Sequence, residues 1–392
     1  MDYIERAIEP IIRRTLARKR SVLLLGPRQT GKTTLLQKIP CDYTLSFVQP
    51  SVRQKYERNL ALLTQEIEAV KAAPPSKLPL VVMDEVQKIP EVMDVAQDLI
   101  DRKKAQFILT GSSARKLRRS QTNLLPGRVI ALHMDPLMHL EYPKPSLEDR
   151  LLYGSLPMVY QSMETSSREA DLESYVTTYL EEEVRAEALV RNLGSFGRFL
   201  ELAAAEAGAV VNFRKLSQKI GVAHTTMMDY YQILEDCLLV ERVEPYTESK
   251  TRKKLTRSQK YLFFDLGVRR VAAKEGTQPL QPTWGSLFEQ WVGLELIRML
   301  RLKQPRARLH FWRDPAGPEV DWVIRREKSL IPIEVKWSDA PNSDDIKHLA
   351  IFLREYPDAP KAYVICRASR PLKMGDKILA LPWQDLPEVL LF

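Results

Sequence analysis

The stretch Ser21-Val22-Leu23-Leu24-Leu25-Gly26-Pro27-Arg28-Gln29-Thr30-Gly31-Lys32-Thr33-Thr34 decides the fold of this 392-residue chain. Ser21–Leu25, apolar after its first residue, reads as a short buried strand. Gly26–Thr33 matches G-x-x-x-x-G-K-[ST], in which the glycines let the backbone wrap an anion with its N–H groups pointing inward. Thr33–Ile39 has the pattern of a helix whose positive end would face the same anion. A strand, a glycine loop and a helix in this order point to the phosphates of a nucleotide. Gly26, Pro27, Arg28, Gln29, Thr30, Gly31, Lys32, Thr33 and Thr34 are therefore the candidate ATP-binding loop. Lys32 would reach the β- and γ-phosphates and the Thr33 hydroxyl would ligate Mg²⁺. The competing reading is an ordinary strand–turn–helix with a stray lysine.

Working outward, hydrolysis needs a second magnesium element. Leu80-Val81-Val82-Met83-Asp84-Glu85 is an apolar run ending in two carboxylates. Asp84 is the candidate for Mg²⁺ and Glu85 for the general base that polarises the attacking water. Ile108-Leu109-Thr110-Gly111-Ser112-Ser113 ends a third strand, and its hydroxyls, Ser112 among them, are placed to sense the γ-phosphate. A capped turn is the alternative, because Ser and Gly favour turns. Ile4–Arg18 and Val52–Ala72 read as helices, the latter a single long one ended by prolines. Strands separated by helices predict a parallel sheet covered on both faces. Arg128, in Leu125-Pro126-Gly127-Arg128, is a candidate arginine finger acting across a subunit interface. Arg115 and Arg119 compete for that role, and an ordinary surface arginine is the alternative. Tyr142-Pro143-Lys144-Pro145-Ser146 breaks the pattern, so the first domain is expected over 1–144.

Length and composition bound the rest. A chain of 392 residues exceeds one hydrophobic core, so two or three domains are expected. No apolar run is long enough to cross a bilayer and the N-terminus has no signal-peptide pattern, so a cytoplasmic protein without a membrane partner is expected. Cys41, Cys237 and Cys366 are too few and too scattered for a disulfide framework or a zinc site. The net charge of +9 permits attraction to nucleic acid. It concentrates in Arg102–Lys104, Arg115–Arg119 and Lys250–Lys260, set between acidic helices such as that carrying Glu181–Glu183. Solvated faces are the alternative reading of these runs.

The middle segment, 145–270, is helical in pattern, with strong helices over Arg168–Leu189 and Ser195–Ala207. A helix ending at Gly221, a tight turn and a second helix capped by Thr225 have helix-turn-helix spacing. Strands at Leu238–Val243 and Tyr261–Asp265, joined by a basic loop, complete a winged-helix pattern. His224, Thr225, Thr226 and Tyr230 are placed to touch phosphates or base edges. Lys250, Arg252, Lys253, Lys254, Arg257 and Lys260 would lie along a nucleic-acid backbone as the wing. Asp229 and Glu235 oppose the DNA reading, and protein contact between subunits is the alternative.

The last segment, 271–392, reads as a helix over Trp284–Leu302 followed by a small α/β unit. Alternation puts Glu319 and Asp321 on one face, opposite Val320 and Trp322, and Glu334 and Lys336 together opposite Ile333 and Val335. A hairpin turning near Glu327-Lys328 would set Asp321 opposite Glu334. Two carboxylates and a lysine then converge as in metal-dependent nucleases, with Asp321 and Glu334 on Mg²⁺, Lys336 orienting water and Glu289 adding a carboxylate from the helix. A solvated strand face and a nuclease fold kept for binding without cleavage remain open.

Taken together, Gly26–Leu35, Val82-Met-Asp-Glu-Val-Gln-Lys-Ile-Pro90, Leu109-Thr-Gly-Ser-Ser-Ala114, Lys260-Tyr-Leu-Phe-Phe-Asp-Leu-Gly267, Gly285-Ser-Leu-Phe-Glu289, Glu319-Val-Asp-Trp322 and Ile333-Glu-Val-Lys336 resemble AAA-type P-loop ATPases that carry a C-terminal DUF4143 domain. The resemblance covers nearly the whole chain and is weakest over 140–195. It departs at Gly154-Ser-Leu-Pro157, where the family commonly has two glycines. It implies an α/β chain in three parts: a parallel-sheet AAA-like ATPase domain, a helical and winged-helix domain, and a small restriction-endonuclease-like C-terminal domain. The expected function is a Mg²⁺-dependent ATPase that binds DNA, branched forms included, and remodels it or translocates along it, as a homo-oligomer that is ring-shaped in the simplest case. The alternatives are a nucleotide-regulated DNA nuclease and a nucleotide-switched protein-interaction module with an inactive nuclease-like tail.

Overall fold

The computed structural model describes residues 3–72, 77–113, 125–162, 164–180, 193–247, 259–314 and 317–391. Two sheets organise them. The first has five parallel strands: β1 Ser21–Leu25, β2 Tyr43–Ser46, β3 Leu80–Asp84, β4 Gln106–Gly111 and β5 Val129–His133, in the order β2-β3-β4-β1-β5. Alternation along the central strands fills two cores. Leu23, Val81, Met83, Phe107 and Leu109 pack in one, and Val22, Leu24, Val82 and Ile108 in the other. Strands buried on both faces must be apolar throughout, which is why β1, β3 and β4 are readable as apolar runs.

Helices cover this sheet: α1 Glu9–Ala17, α2 Lys32–Leu36, α3 Pro50–Arg58, α4 Leu60–Ala69 and α5 Val92–Asp101. The single helix expected over Val52–Ala72 is two. Asn59 leaves helical geometry at φ −151° and ψ 89°, a change suited to asparagine, whose side chain favours non-helical turns. The first helix starts later than expected because Pro10 sits in its first turn, where a missing N–H costs nothing.

The middle segment contributes α6 Leu147–Tyr153, α7 Thr165–Ser174 followed by a π-helical turn at Tyr175–Leu180, α8 Leu193–Ala205, α9 Phe213–Ile220 and α10 His224–Asp236. The rest of the helix expected to Leu189, with Glu181–Glu183, lies outside the described residues. Asn212 caps α9, accepting from the Lys215 N–H at 3.0 Å, and Gly221 ends it at φ +77°. Thr225 does not cap α10, because the helix already begins at His224 after an extended Ala223. Tyr230 cannot face a ligand either, since it is buried against Phe196 and Phe199. His224 and Thr225 are exposed and Thr226 is half-buried.

Beyond α10, β6 Val240–Pro245 pairs antiparallel with β7 Lys260–Phe263. The intervening Lys250, Arg252, Lys253, Lys254 and Arg257 lie outside the described residues. The pair does not stand alone. Glu244 and Pro245 of β6 pair in parallel with His310 and Phe311 of β8 Arg308–Arg313. Through them β6 and β7 join β9 Glu319–Arg326, β10 Ser329–Val335, β11 Ala362–Cys366, β12 Leu372–Lys373 and β13 Ile378–Pro382 in one eight-stranded mixed sheet. Two more helices, α11 Leu266–Ala272 and the 23-residue α12 Gln281–Lys303, separate β7 from β8, and α13 Lys347–Glu355 separates β10 from β11. Leu287 and Trp291 of α12 join Trp322, Ile333 and Tyr363 in one core. Leu349 and Phe352 of α13 join Trp312, Val323 and Val364 in another.

The alternation expected through Glu319–Trp322 breaks. Val320 belongs to the α13-side core and Trp322 to the α12-side core, because the register of β8 against β9 shifts between His310 and Trp312. The β9–β10 hairpin runs in the expected register, Trp322 opposite Ile333, turning at Glu327 with φ +55°. No helix among the described residues is long and apolar enough to cross a membrane.

Candidate nucleotide site and a buried carboxylate cluster

Parallel pairing gathers the carboxyl ends of β1, β4 and β3 at one edge, with β4 in the middle. The glycine loop leaves β1 there. Gly26 passes so close to the next segment that a Cβ would stand 2.3 Å from the Met134 carbonyl oxygen. Gly31 turns into α2 at φ +93°, a conformation that disfavours side chains. The helix is shorter than expected, five residues from Lys32. Lys32 is buried, and its Nζ donates to the carbonyls of Gly26 and Pro27, both at 2.8 Å. The Thr30 hydroxyl donates to Pro27 O at 3.0 Å.

The loop is braced from outside by a residue that no motif flags. Buried Arg6 donates through Nη1 to the Thr30 carbonyl at 2.6 Å, through Nη2 to Asp135 O at 2.7 Å and through Nε to Glu141 at 3.1 Å. Tyr175, in the π-helical turn, donates to Arg28 O at 3.4 Å.

The strand tips meet through hydroxyls. Thr33 Oγ1 donates to Asp84 Oδ2 at 3.1 Å, joining the loop to β3. Thr110 Oγ1, on β4 between them, donates to Asp84 Oδ1 and accepts the Glu85 N–H at 3.1 Å. Glu85 turns away from the strand at φ +60°, a strained setting for a non-glycine residue. Its carboxylate accepts from Ser112 Oγ at 3.0 Å and from the Gln87 amide, which also donates to Ser112 at 2.9 Å. Thus Thr110 and Ser112 contact the two carboxylates. Gln87 was given no role by sequence reasoning, although it stands within the Val82–Pro90 run that carries the resemblance. Thr33 and Asp84 are hard oxygen donors within hydrogen-bonding distance of each other, and they fit Mg²⁺.

Arg128 is not at this edge. It precedes β5, whose Val129 pairs with Ser21 at the start of β1, so it lies at the opposite end of the sheet. There it makes a two-pronged ion pair with Asp101 at 2.7 and 2.9 Å. It cannot serve its own loop. Arg115 and Arg119 fall outside the described residues.

A second cluster forms in the larger sheet. Trp322 opposite Ile333 continues to Asp321 beside Glu334, and Asp321 Oδ2 accepts the Val335 N–H at 2.8 Å. Glu289 of α12 completes three carboxylates. Its position is fixed by the Trp322 indole, which donates to the Glu289 carbonyl at 3.1 Å. Lys336 Nζ lies 2.8 Å from Glu334 Oε1. The fifth member corrects an expectation. Lys260 is not on an exposed wing but buried, with Nζ 2.8 Å from Glu289 Oε1 and about equally far over the rings of Phe311 (5.2 Å) and Trp322 (5.0 Å). Glu319 is apart, paired loosely with Arg313 at the surface.

Burial pushes the Asp321 carboxyl well above the ordinary carboxylate range, helped by the neighbouring charges of Glu289 and Glu334. Burial also raises Glu334, against the pull of Lys336. For Lys260, burial alone would lower the ammonium, but Glu289 and Asp321 outweigh it and raise it. An ammonium therefore holds one oxygen of Glu289 and another holds one of Glu334, the atoms a divalent cation would draw on. The arrangement does not fit such a cation as it stands.

A third group of possible ligands, His133, Asp135 and Glu241, lies within 4.8 Å. Arg301 of α12 takes its place among them, bonding Asp135 at 2.7 Å and also Glu241, so the group is an ion-pair junction.

Residues 18–143 match the family model described as AAA domain. Residues 144–278 match Domain of unknown function (DUF8612), and residues 284–386 match Domain of unknown function (DUF4143). An uncharacterized protein of Mycobacterium tuberculosis is 26% identical, covering 84% of this chain and 73% of that protein. An uncharacterized protein of Methanocaldococcus jannaschii is 25% identical, covering 94% of this chain and 84% of its own. Among solved structures, an assembly of Thermococcus gammatolerans McrB AAA+ hexamers with bound McrC is similar at 12% identity, covering 65% of this chain and 74% of that one, with a TM-score of 0.26. The five-stranded parallel sheet, the glycine loop at its edge and the matched segments agree: the chain carries an AAA-type P-loop domain over 18–143 and a DUF4143 domain over 284–386.

Proposed function

We propose that the chain hydrolyses ATP with Mg²⁺ and uses the hydrolysis to remodel or move along DNA. The observation that carries the hydrolytic part is the Thr33–Asp84 hydrogen bond at 3.1 Å, which sets the loop hydroxyl against the β3 carboxylate with Glu85 next in sequence. Lys32 would leave the Gly26 and Pro27 carbonyls for the β- and γ-phosphates. Thr33 and Asp84 would hold the metal, which when bound supplies positive charge to the phosphate oxygens. Glu85, aimed by Gln87 and Ser112, would orient water toward the γ-phosphate. A homo-oligomer, ring-shaped in the simplest case, would let a neighbouring copy bring an arginine to this edge.

The DNA part rests on charge and exposure. The net charge is +9, five basic residues lie between β6 and β7, and His224 and Thr225 are exposed at the start of α10. A winged helix presents its recognition helix and its basic wing to one nucleic acid. In the unit divisions 1–144, 145–270 and 271–392, the β6–β8 pairing would make the second and third respond together. The test is the ATPase rate of the whole protein alone and with duplex, single-stranded and branched DNA. A rate raised by DNA and abolished by Lys32→Ala supports the proposal. A rate indifferent to every DNA form sinks the DNA part, and turnover surviving Lys32→Ala sinks the hydrolytic part.

A further inference from the structure

We infer that Lys260 is the resident cation of the buried carboxylate cluster, and that the cluster takes no divalent metal while Lys260 is in place. The inference deepens the nuclease-like reading of the C-terminal sheet and is independent of the ATPase reading, which its test does not touch.

Three carboxylates in one partly buried space must be neutralised by protons, metal or cationic side chains. Here two ammonium groups do it. Lys336 directly follows the strand that carries Glu334 and is partly exposed, so it can swing away at little cost. Lys260 is different. It comes from β7, its side chain is 10% exposed, and its stem lies against Phe311 and Trp322. Its backbone is held by pairing with Val243 and with Val210. Its Nζ stands 2.8 Å from Glu289 Oε1, and its charge also acts on Asp321. It is thus a cation delivered into the cluster by a separate strand and packed there. Glu334 Oε2, itself buried, has no hydrogen-bond partner among the described residues, so the cluster retains an unmet acceptor that a metal could use once the ammonium left. The chemistry that recognises such a site is a hard divalent cation with oxygen ligands, and Mn²⁺ is a suitable probe.

Metal binding is measured by calorimetric titration of the nucleotide-free full chain with Mn²⁺. The wild type is expected to show no binding that depends on Asp321 or Glu334. Lys260→Met keeps the stem over the two rings and removes the charge. It is expected to gain a Mn²⁺ site at least about tenfold tighter than any in the wild type, and adding Glu334→Gln to it should abolish that site. Its melting temperature should rise with Mn²⁺ while that of the wild type does not. A cooperative melting transition with the circular dichroism of the wild type checks the fold of Lys260→Met. If that variant does not fold, Asp321→Asn and Glu334→Gln in the wild-type background still decide the matter. Mn²⁺ binding by the wild type that either substitution removes overturns the inference, as does a folded Lys260→Met that gains no site.

Discussion

Arg301 donates to Asp135 at 2.7 Å, and its other nitrogen reaches Glu241. One side chain of α12 therefore ties the segment just past β5, in the first sheet, to β6, in the second. Asp135 carries the imprint of this contact. Burial would raise its carboxyl, but Arg301 and His133 outweigh burial and hold it well below the usual range. Replacing Arg301 with Met leaves two half-buried carboxylates facing each other. The expected loss is about 1–3 kcal/mol. Calorimetric unfolding should show a lower and broader transition, as the two sheets lose their shared fastener. Arg301→Lys should recover only part of the loss, because an ammonium lacks the fork that spans two carboxylates. An unchanged transition in Arg301→Met would mean that the junction contributes nothing.

Arg6 bears on nucleotide affinity. By holding the Thr30 carbonyl at 2.6 Å it keeps that oxygen turned outward, which leaves the loop N–H groups free to face phosphate. A loop that must order itself on binding loses affinity. Arg6→Met is expected to weaken ATP binding on the order of tenfold, read by titration of the nucleotide. Arg6→Lys, able to reach one acceptor instead of several, should fall between. Equal affinity in all three proteins would show that the loop needs no brace.

Gln87 should separate binding from chemistry. Its amide donates to Glu85 and Ser112 and, among the described residues, to none of the glycine loop. Gln87→Met removes the hydrogen bonds with little change of volume. kcat is expected to drop on the order of tenfold as Glu85 loses its orientation, with KM for ATP nearly unchanged. Ser112→Ala should act in the same direction. A raised KM with unchanged kcat would place Gln87 in nucleotide binding instead.

These residues also mark where the sequence was legible. Strands β1, β3 and β4 are apolar along their length because both faces are covered, and the loop, Asp84 and Glu85 follow from their ends. Strands β2 and β5 sit at the sheet's edges, so Tyr43–Ser46 and Val129–His133 mix exposed and buried positions and carry no clear period. Asp321 could be set opposite Glu334 because one hairpin turn determines the register of both strands. Lys260 was wrongly expected on the wing. It follows a basic run in the sequence, and only the pairing of β6 with β8 shows that its strand faces carboxylates instead of solvent. Arg6, Gln87 and Arg301 act through contacts between distant segments, which local spacing does not encode.

His139 provides a pH test of the contact between the segment past β5 and α12. Its ring packs against Trp383 with centroids 4.8 Å apart and against Trp291 at 6.5 Å. Burial, with the charge of Arg150 nearby, lowers its pKa to about 4. The unfolded chain would protonate it near its ordinary value of about 6.5. Between these values the unfolded state binds the extra proton, so stability rises with pH. The contribution is complete above about pH 6.5 and is lost as the pH falls toward about 4, where it levels off. Partial exposure of the ring screens the effect, so its contribution is about 1–2 kcal/mol. His139→Phe keeps an aromatic ring between the tryptophans and cannot titrate. Denaturant midpoints for the two proteins should therefore diverge as the pH is lowered through this window, the wild type falling faster. Parallel curves for wild type and His139→Phe would show that the ring titrates alike in the folded and unfolded chains.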